Sequence, residues 1–297
     1  MAIDTQTLMK QVGRIKILTS RLIDDRLSGE YHSVFKGHGI EFDEVRPYVA
    51  GDDVRTIDWN VTARTGHPHI KRFSEERELT VIFVIDVSGS QIFGSGARPK
   101  SELAAEIACL LALTAIRNQD KIGLILFSDR IVKSVPPRKG RTAVMRLVRE
   151  ILATQETRQG TDIAGALRFL SNVQKRKAVV FLVSDFQDRN YEKQLRVVAR
   201  RHDLIACAVS DPREAALPDV GLVELQDPES GDLFLVDTSS RRVREEFASQ
   251  AAAERNALLT NLRRCGIDTL DISTERPYLD DVRRLFKRRQ MRAGRRA

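Results

Sequence analysis

Cysteine and long apolar runs are both scarce in this chain. Three cysteines, Cys109, Cys207 and Cys265, are spread over 297 residues. They are odd in number, far apart and set in apolar-periodic segments, which argues against a disulfide framework or a zinc ligand set and reads them as small core residues. No stretch approaches the roughly 18 to 20 apolar residues that span a bilayer. The opening Met1-Ala2-Ile3-Asp4-Thr5 lacks a basic patch leading into an apolar run. A soluble, cytoplasmic protein without membrane insertion is expected. Internal repeats and low-complexity tracts are also missing, so repeat architectures and disorder are set aside.

What is present is ordinary for a globular protein: 42% hydrophobic and 30% charged residues. The length allows one large α/β domain with a smaller appended unit. The net charge is +8, but its placement limits its meaning. Arg283, Arg284, Lys287, Arg288, Arg289, Arg292, Arg295 and Arg296 stand in the last fifteen residues with no acid among them. These eight equal the whole surplus. The charge therefore belongs to a basic C-terminal tail, 283–297, and not to a binding face of the fold. Polyanion or nucleic-acid contact through that tail is the alternative function, and salt would abolish it.

From Thr80 to Ser88 the chain is continuously apolar and β-branched until an acid appears near its end, the pattern of a central strand covered on both faces. Lys100 to Arg117 is apolar around nearly its whole helical circumference and so predicts a buried helix. Lys121 to Ser128 is a second buried strand. Ile131 to Val135 follows after a turn too short for a parallel crossover, which predicts an antiparallel edge strand before Pro136-Pro137.

Helices are then expected over Thr142 to Ala153, Asp162 to Val173 and Tyr191 to His202, with strands over Ala178 to Ser184 and Leu204 to Val209. A hairpin is expected from Leu222 to Val236, turning at Asp227-Pro228-Glu229-Ser230-Gly231. An amphipathic helix should run from Arg241 to Arg264 and stop near Gly266, packing through Phe247, Ala251, Leu258, Leu259 and Leu262. A strand over Thr269 to Ile272 and a helix over Leu279 to Phe286 close the series, with the tail frayed beyond. The alternation predicts a mostly parallel sheet with one antiparallel edge strand and helices on both faces.

The first 79 residues differ. One helix is expected from about Ile3 to Arg26, then strands over Ile40 to Tyr48 and His69 to Glu76 in a small helix/β subdomain. Three units result: 1–79, an α/β domain over 80–282, and the tail.

Ligands of an open α/β sheet gather at the carboxyl ends of its strands. Asp86, Ser88 and Ser90 stand where the first core strand runs out, Thr161 with Asp162 opens a helix, and Ser184-Asp185 ends a later strand. Three segments thus converge on one sheet edge. Hydroxyls and carboxylates of this kind suit Mg2+ or Mn2+, hard ions that take about six oxygens, several of them water. Ser88, Ser90 and Thr161 would bind directly, and Asp86 and Asp185 mostly through water. The ion would stay under-neutralised and seek an outside carboxylate.

This set closely resembles the metal-ion-dependent adhesion site of a von Willebrand factor A domain, whose five-residue signature matches Asp86, Ser88, Ser90, Thr161 and Asp185 in order. The resemblance implies a von Willebrand A-like fold and a binding module in which a partner's Glu or Asp completes the coordination. Further strings narrow it: Gly37-His38-Gly39-Ile40-Glu41-Phe42, Arg46-Pro47-Tyr48, Gly51-Asp52-Asp53-Val54-Arg55-Thr56-Ile57-Asp58-Trp59 and Ala63-Arg64-Thr65-Gly66. They resemble the MoxR-associated bacterial family called domain of unknown function 58, and imply a MoxR-type AAA+ ATPase or its client as partner. Two departures are visible. Gln91 stands where many members carry methionine, and an insert from Phe93 to Pro99 lengthens the loop beside the metal.

Bland readings stand beside these. The serines could satisfy turn backbone and Thr161 and Asp162 could cap a helix, but capping does not require Asp86 and Asp185 at two strand ends. A haloacid-type phosphatase needs an acid two residues after its aspartate, and Ser88 occupies that place. No nucleophile or base suggests itself elsewhere, so no catalysis is expected. Asp52, Asp53, Arg55, Asp58 and Trp59 could form an ATPase-docking surface or second ligand site. Equally they could form an ion-pair network with Trp59 anchoring the small unit on the sheet, the stronger reading because the acids lack hydroxyl or histidine partners at metal spacing. His67-Pro68-His69 reads as a turn leading into a strand.

Overall fold

The structure is a computed structural model that describes residues 5–23, 25–35, 39–76, 78–95, 98–154, 160–226 and 232–294. Its first helices are α1 (Thr5–Leu22) and α2 (Asp25–Val34), where one continuous helix was expected. Their buried positions, Leu8, Val12, Ile15, Thr19, Ile23, Leu27, Tyr31 and Phe35, are spaced mostly by four. A strict spacing of four drifts about 40° per step around a straight helix, so one unbroken rod would carry the stripe away from the core. The break lets α1 pack on the fourth and fifth helices and α2 on the fourth and last.

After them come β1 (Gly39–Pro47), α3 (Trp59–Thr65) and β2 (His69–Glu76); the two strands are those expected, and they pair antiparallel. The Gly37-His38 pair lies outside the described residues. His69 opens β2, and its Nδ1 lies 2.8 Å from the His67 carbonyl, so the His67-Pro68-His69 run is a turn into a strand.

The main sheet follows: β3 (Thr80–Asp86), α4 (Lys100–Arg117), β4 (Lys121–Phe127), β5 (Ile131–Arg138), α5 (Arg141–Ala153), α6 (Ile163–Val173), β6 (Val179–Ser184), α7 (Glu192–Arg201) and β7 (Asp203–Ser210). Beyond are α8 (Pro212–Ala215), β8 (Leu222–Gln226), β9 (Leu233–Asp237), α9 (Arg241–Arg264), β10 (Asp268–Ser273) and α10 (Leu279–Gly294). Six strands lie in the order β10-β7-β6-β3-β4-β5. Neighbours are parallel except β5, which runs antiparallel to β4 at the edge. This is the mostly parallel α/β sheet with one antiparallel edge strand and helices on both faces that the sequence predicts.

The pleat divides β3 between two cores. Val81, Phe83 and Ile85 face the layer built by α1, α2, α4, α5 and α10, while Ile82 and Val84 face the layer that includes α6, α7 and Leu262 of α9. The first 79 residues therefore divide too. Helices α1 and α2 share the core of the sheet, and the β1–β2 hairpin with α3 is the appended part. Cys109 and Cys207 are buried and Cys265 half-buried, all as free thiols.

Two expectations near the C-terminus need correction. Helix α9 has the predicted span and turns off at Gly266, whose φ of 71° is left-handed. Yet of its stripe only Leu262 is fully buried, with Phe247, Ala251, Leu258 and Leu259 half-exposed. Its contacts are chiefly with α8 and β10, and only Leu258, Leu262 and, just beyond it, Cys265 pack on the core of the sheet; the turn at 227–231 lies outside the described residues. The basic stretch is not frayed after Phe286, because α10 continues to Gly294. Arg289 pairs with Asp203 and lies over the Phe35 ring. Arg292 donates to Asp268 at 2.6 Å and Arg288 to the Thr269 carbonyl at 3.0 Å.

Candidate metal centre

The site begins where β3 ends. Asp86 is 1% exposed. Its Oδ1 accepts from the Ser88 backbone N–H at 2.9 Å and its Oδ2 from the Ser184 hydroxyl at 2.7 Å. The chain then curls into a 3₁₀ turn, Gly89–Ile92, which brings the hydroxyl oxygens of Ser88 and Ser90 to 3.2 Å. On the neighbouring strand, Asp185 follows Ser184 directly. Phe186, at a φ of 62°, turns the backbone away so that its N–H returns to the Ser184 hydroxyl at 3.0 Å.

Thr161 reaches the same edge through the backbone. The Asp162 N–H donates to the Ser128 carbonyl beyond β4 at 2.8 Å, and the Ile163 N–H donates to the Asp188 carboxylate beyond β6 at 2.8 Å. Asp162 itself caps α6, its Oδ1 accepting from the Gly165 N–H at 2.6 Å. So Asp86, Ser88, Ser90 and Asp185 form a compact group, and the segment carrying Thr161 is fastened to the strand ends around it.

Burial, and then the negative charge of Asp185, push the Asp86 carboxyl up to about 7 against hydrogen bonds from Ser88 and Ser184. An adjacent cation would relieve that repulsion. The donors are oxygens throughout, the preference of Mg2+ or Mn2+. Among the described residues no three His, Cys, Asp or Glu side chains cluster as a metal group, so an ion here would depend on hydroxyls and water as well as on the two carboxylates. Gln91, 2% exposed, carries a carboxamide with no hydrogen-bond partner among the described residues. An orphaned buried amide one residue beyond Ser90 is a group that a bound ion's water shell could satisfy.

Sequence reasoning missed Lys100. Its side chain is fully buried at the start of α4, with Nζ 2.8 Å from Asp185 Oδ2 and also paired with Glu214. Burial pulls the ammonium down, but Asp185 and then Glu214 outweigh it and hold it above the ordinary lysine value. A signal did exist: a lysine opening an otherwise apolar helix opposes the helix dipole and needs a nearby acid.

The other candidate residues, on the tip of the β1–β2 hairpin, satisfy one another locally. Arg46 donates to both oxygens of Asp52, at 2.9 and 2.8 Å. Asp53 caps the Val54–Thr56 turn through the Arg55 N–H, and Asp58 caps α3 through Asn60 and Val61 while pairing with Lys71 at 3.3 Å. The arginine at 46 holds the Asp52 carboxyl below its usual range. The Arg55 side chain is exposed. Trp59 does not anchor the unit on the sheet: it is 71% exposed, and α3 packs chiefly on β2.

Residues 44–257 match the family described as protein of unknown function DUF58. The chain belongs to that family. Relatives extend the similarity beyond the matched residues. An uncharacterized protein of Mycobacterium tuberculosis is 34% identical over 293 residues, 97% of this chain and 92% of that one. An uncharacterized protein of Mycobacterium avium is 36% identical over 161 residues, 52% of this chain and 94% of that one. Among solved structures, BatB from Bacteroides thetaiotaomicron aligns at a TM-score of 0.42 and 14% identity, over 70% of this chain and 99% of that chain. An aerotolerance-related membrane protein from Bacteroides fragilis aligns at 0.44 and 13%, over 71% and 99%. The DUF58 match takes in the hairpin tip, all five candidate ligands, Lys100 and Glu214. It leaves out α1, α2 and α10.

Proposed function

We propose that this DUF58 protein is a non-enzymatic, cytoplasmic binding adaptor. Asp86, Ser88, Ser90, Thr161 and Asp185 hold Mg2+ or Mn2+, and the ion takes a carboxylate from a protein partner. The partner class is a MoxR-type AAA+ ATPase or its client, as the family resemblance implies. The carrying observation is the buried meeting of Asp86 and Asp185 with two serine hydroxyls at one sheet edge, an arrangement in which Lys100 pairs with Asp185 alone and a divalent cation would offset both charges. Bound there, the ion would supply a Lewis-acidic position for an outside carboxylate. The chain's own part is to fix the oxygens and keep both acids close. Polyanion binding through the C-terminal arginines is the weaker reading, since Arg288, Arg289 and Arg292 are drawn onto the body of the fold.

Two measurements test the proposal. Calorimetric titration of the chelator-stripped chain with MgCl2 should give one site that Asp86→Ala abolishes; equal affinity in both proteins rejects the metal site. Co-purification with the MoxR-type ATPase of the same genome should depend on Mg2+ and be lost with EDTA and with Asp86→Ala. Retention that ignores both treatments removes the ion from the interface.

A further inference from the structure

An ammonium ion already stands at the metal cradle. Lys100 is the first residue of α4, and its side chain has no exposed surface. A lysine there suffers twice, from burial of its charge and from the positive end of the helix dipole. Two fixed acceptors offset this. Asp185, a candidate ligand, lies 2.8 Å from Nζ, and Glu214 of α8 holds it on the other side.

Glu214 is not free to drift. Its Oε2 accepts from the Asp211 N–H at 2.9 Å in a reciprocal cap, with Asp211 in turn accepting from the Arg213 N–H. The Asp211 carboxylate is itself pinned by the Ser95 N–H at 2.9 Å, the Ser95 hydroxyl at 2.5 Å and the Thr274 hydroxyl at 2.6 Å. These bonds tie together the loops after β3, β7 and β10. Lys100 thus bridges one acid that an incoming ion would need and one acid that is anchored elsewhere.

We infer that Lys100 is the resident counter-cation of the metal cradle, neutralising Asp185 until a divalent ion displaces it onto Glu214, so that Lys100 and Glu214 together set the affinity for the metal; this rests on the metal reading proposed above. Lys100 itself gives up no proton in the exchange. Lys100 keeps one carboxylate partner throughout, while Asp185 passes from a monovalent to a divalent cation. The two residues therefore act in opposite directions. Without Lys100 the ion meets no competitor and no like charge. Without the Glu214 charge, the ammonium has only Asp185 to pair with and competes harder.

The test is calorimetric titration of the full-length, chelator-stripped chain with MgCl2, in the wild type, Lys100→Met and Glu214→Gln, with thermal unfolding of each protein with and without saturating MgCl2. Lys100→Met should bind Mg2+ on the order of tenfold more tightly and Glu214→Gln measurably more weakly. Mg2+ should also raise the unfolding temperature of Lys100→Met more than that of the wild type, because the ion replaces the lost charge. A purely structural lysine gives no such magnesium-specific rescue. If the wild type binds Mg2+ while Lys100→Met binds equally or less well, the counter-cation role is overturned and the metal site stands. Should Lys100→Met not fold even with Mg2+, Glu214→Gln decides: unchanged or tighter binding overturns the role. If no protein binds Mg2+, the metal site itself fails and the role of Lys100 goes with it.

Discussion

The Ser184 hydroxyl donates to Asp86 Oδ2 at 2.7 Å, joining the ends of two adjacent parallel strands at a point where both residues are buried. The bond fixes which way the Asp86 carboxylate faces and leaves Oδ1 to the Ser88 backbone. Ser184→Ala removes the donor and leaves a buried carboxylate oxygen under-satisfied. It should cost about 1 to 3 kcal/mol, measured by urea unfolding of chelator-stripped protein, and weaken Mg2+ binding in calorimetry. Unchanged stability would show that Asp86 is oriented by the Ser88 turn alone.

Asp120 predicts a pH effect away from the site. Its carboxylate accepts from the Tyr31 hydroxyl at 2.8 Å and the Leu79 N–H at 2.9 Å, linking α2 to the turn between α4 and β4. Burial lifts its pKa to about 6 although both hydrogen bonds favour the ionised form. A raised pKa means that the native state holds the proton more firmly than the unfolded chain. The contribution is fully present below the unfolded value of about 4 and is lost as pH rises through about 6, amounting to about 2 kcal/mol. Urea unfolding at pH 4.5 and 7.5 should show this loss in the wild type relative to Asp120→Asn. A stability difference between the two proteins that stays the same at both pH values would contradict it.

His202 works in the opposite sense. It is 3% exposed, and neither ring nitrogen has a hydrogen-bond partner among the described residues. Burial, and then the charge of Arg201, lower its pKa from the ordinary value of 6.5. The native state therefore excludes the proton, and the stability it contributes, present above pH 6.5, is lost as pH falls below that value. His202→Leu should flatten the acid side of the stability profile and be more stable than the wild type at pH 5 by denaturant titration. A variant that loses stability equally from pH 7 to 5 would show that the imidazole is not the titrating group.

The contrast between these buried polar groups and the strands marks what the sequence could reveal. The main-sheet strands β3, β4, β6 and β7 were legible because strands covered on both faces are apolar throughout, and β5 because its connection is too short to cross over. Asp86, Ser88, Ser90 and Asp185 were legible because strand ends can be read from where apolar runs stop. Lys100 was not, since its acceptors lie 85 and 114 residues away along the chain, and a local window shows only a lysine at a helix start. The break after α1 escaped for a related reason: a spacing of four looks helical over any one turn, and its drift off a single face accumulates only over the whole stretch. The size of Trp59 suggests an anchor, yet burial depends on what stands opposite, and among the described residues nothing buries it.

That tip separates folding from recognition. Asp58 caps α3 with two backbone N–H groups and is nearly buried, whereas Trp59 beside it projects into solvent. Asp58→Ala should therefore cost about 1 kcal/mol by urea unfolding. Trp59→Ala should change stability by less than about 0.5 kcal/mol. If the tip is a docking surface, Trp59→Ala should still weaken co-purification of the MoxR-type ATPase, since exposed tryptophans concentrate binding energy at interfaces. Capture equal to the wild type would confine partner binding to the metal edge, and a large stability loss would mean that the indole packs on the fold.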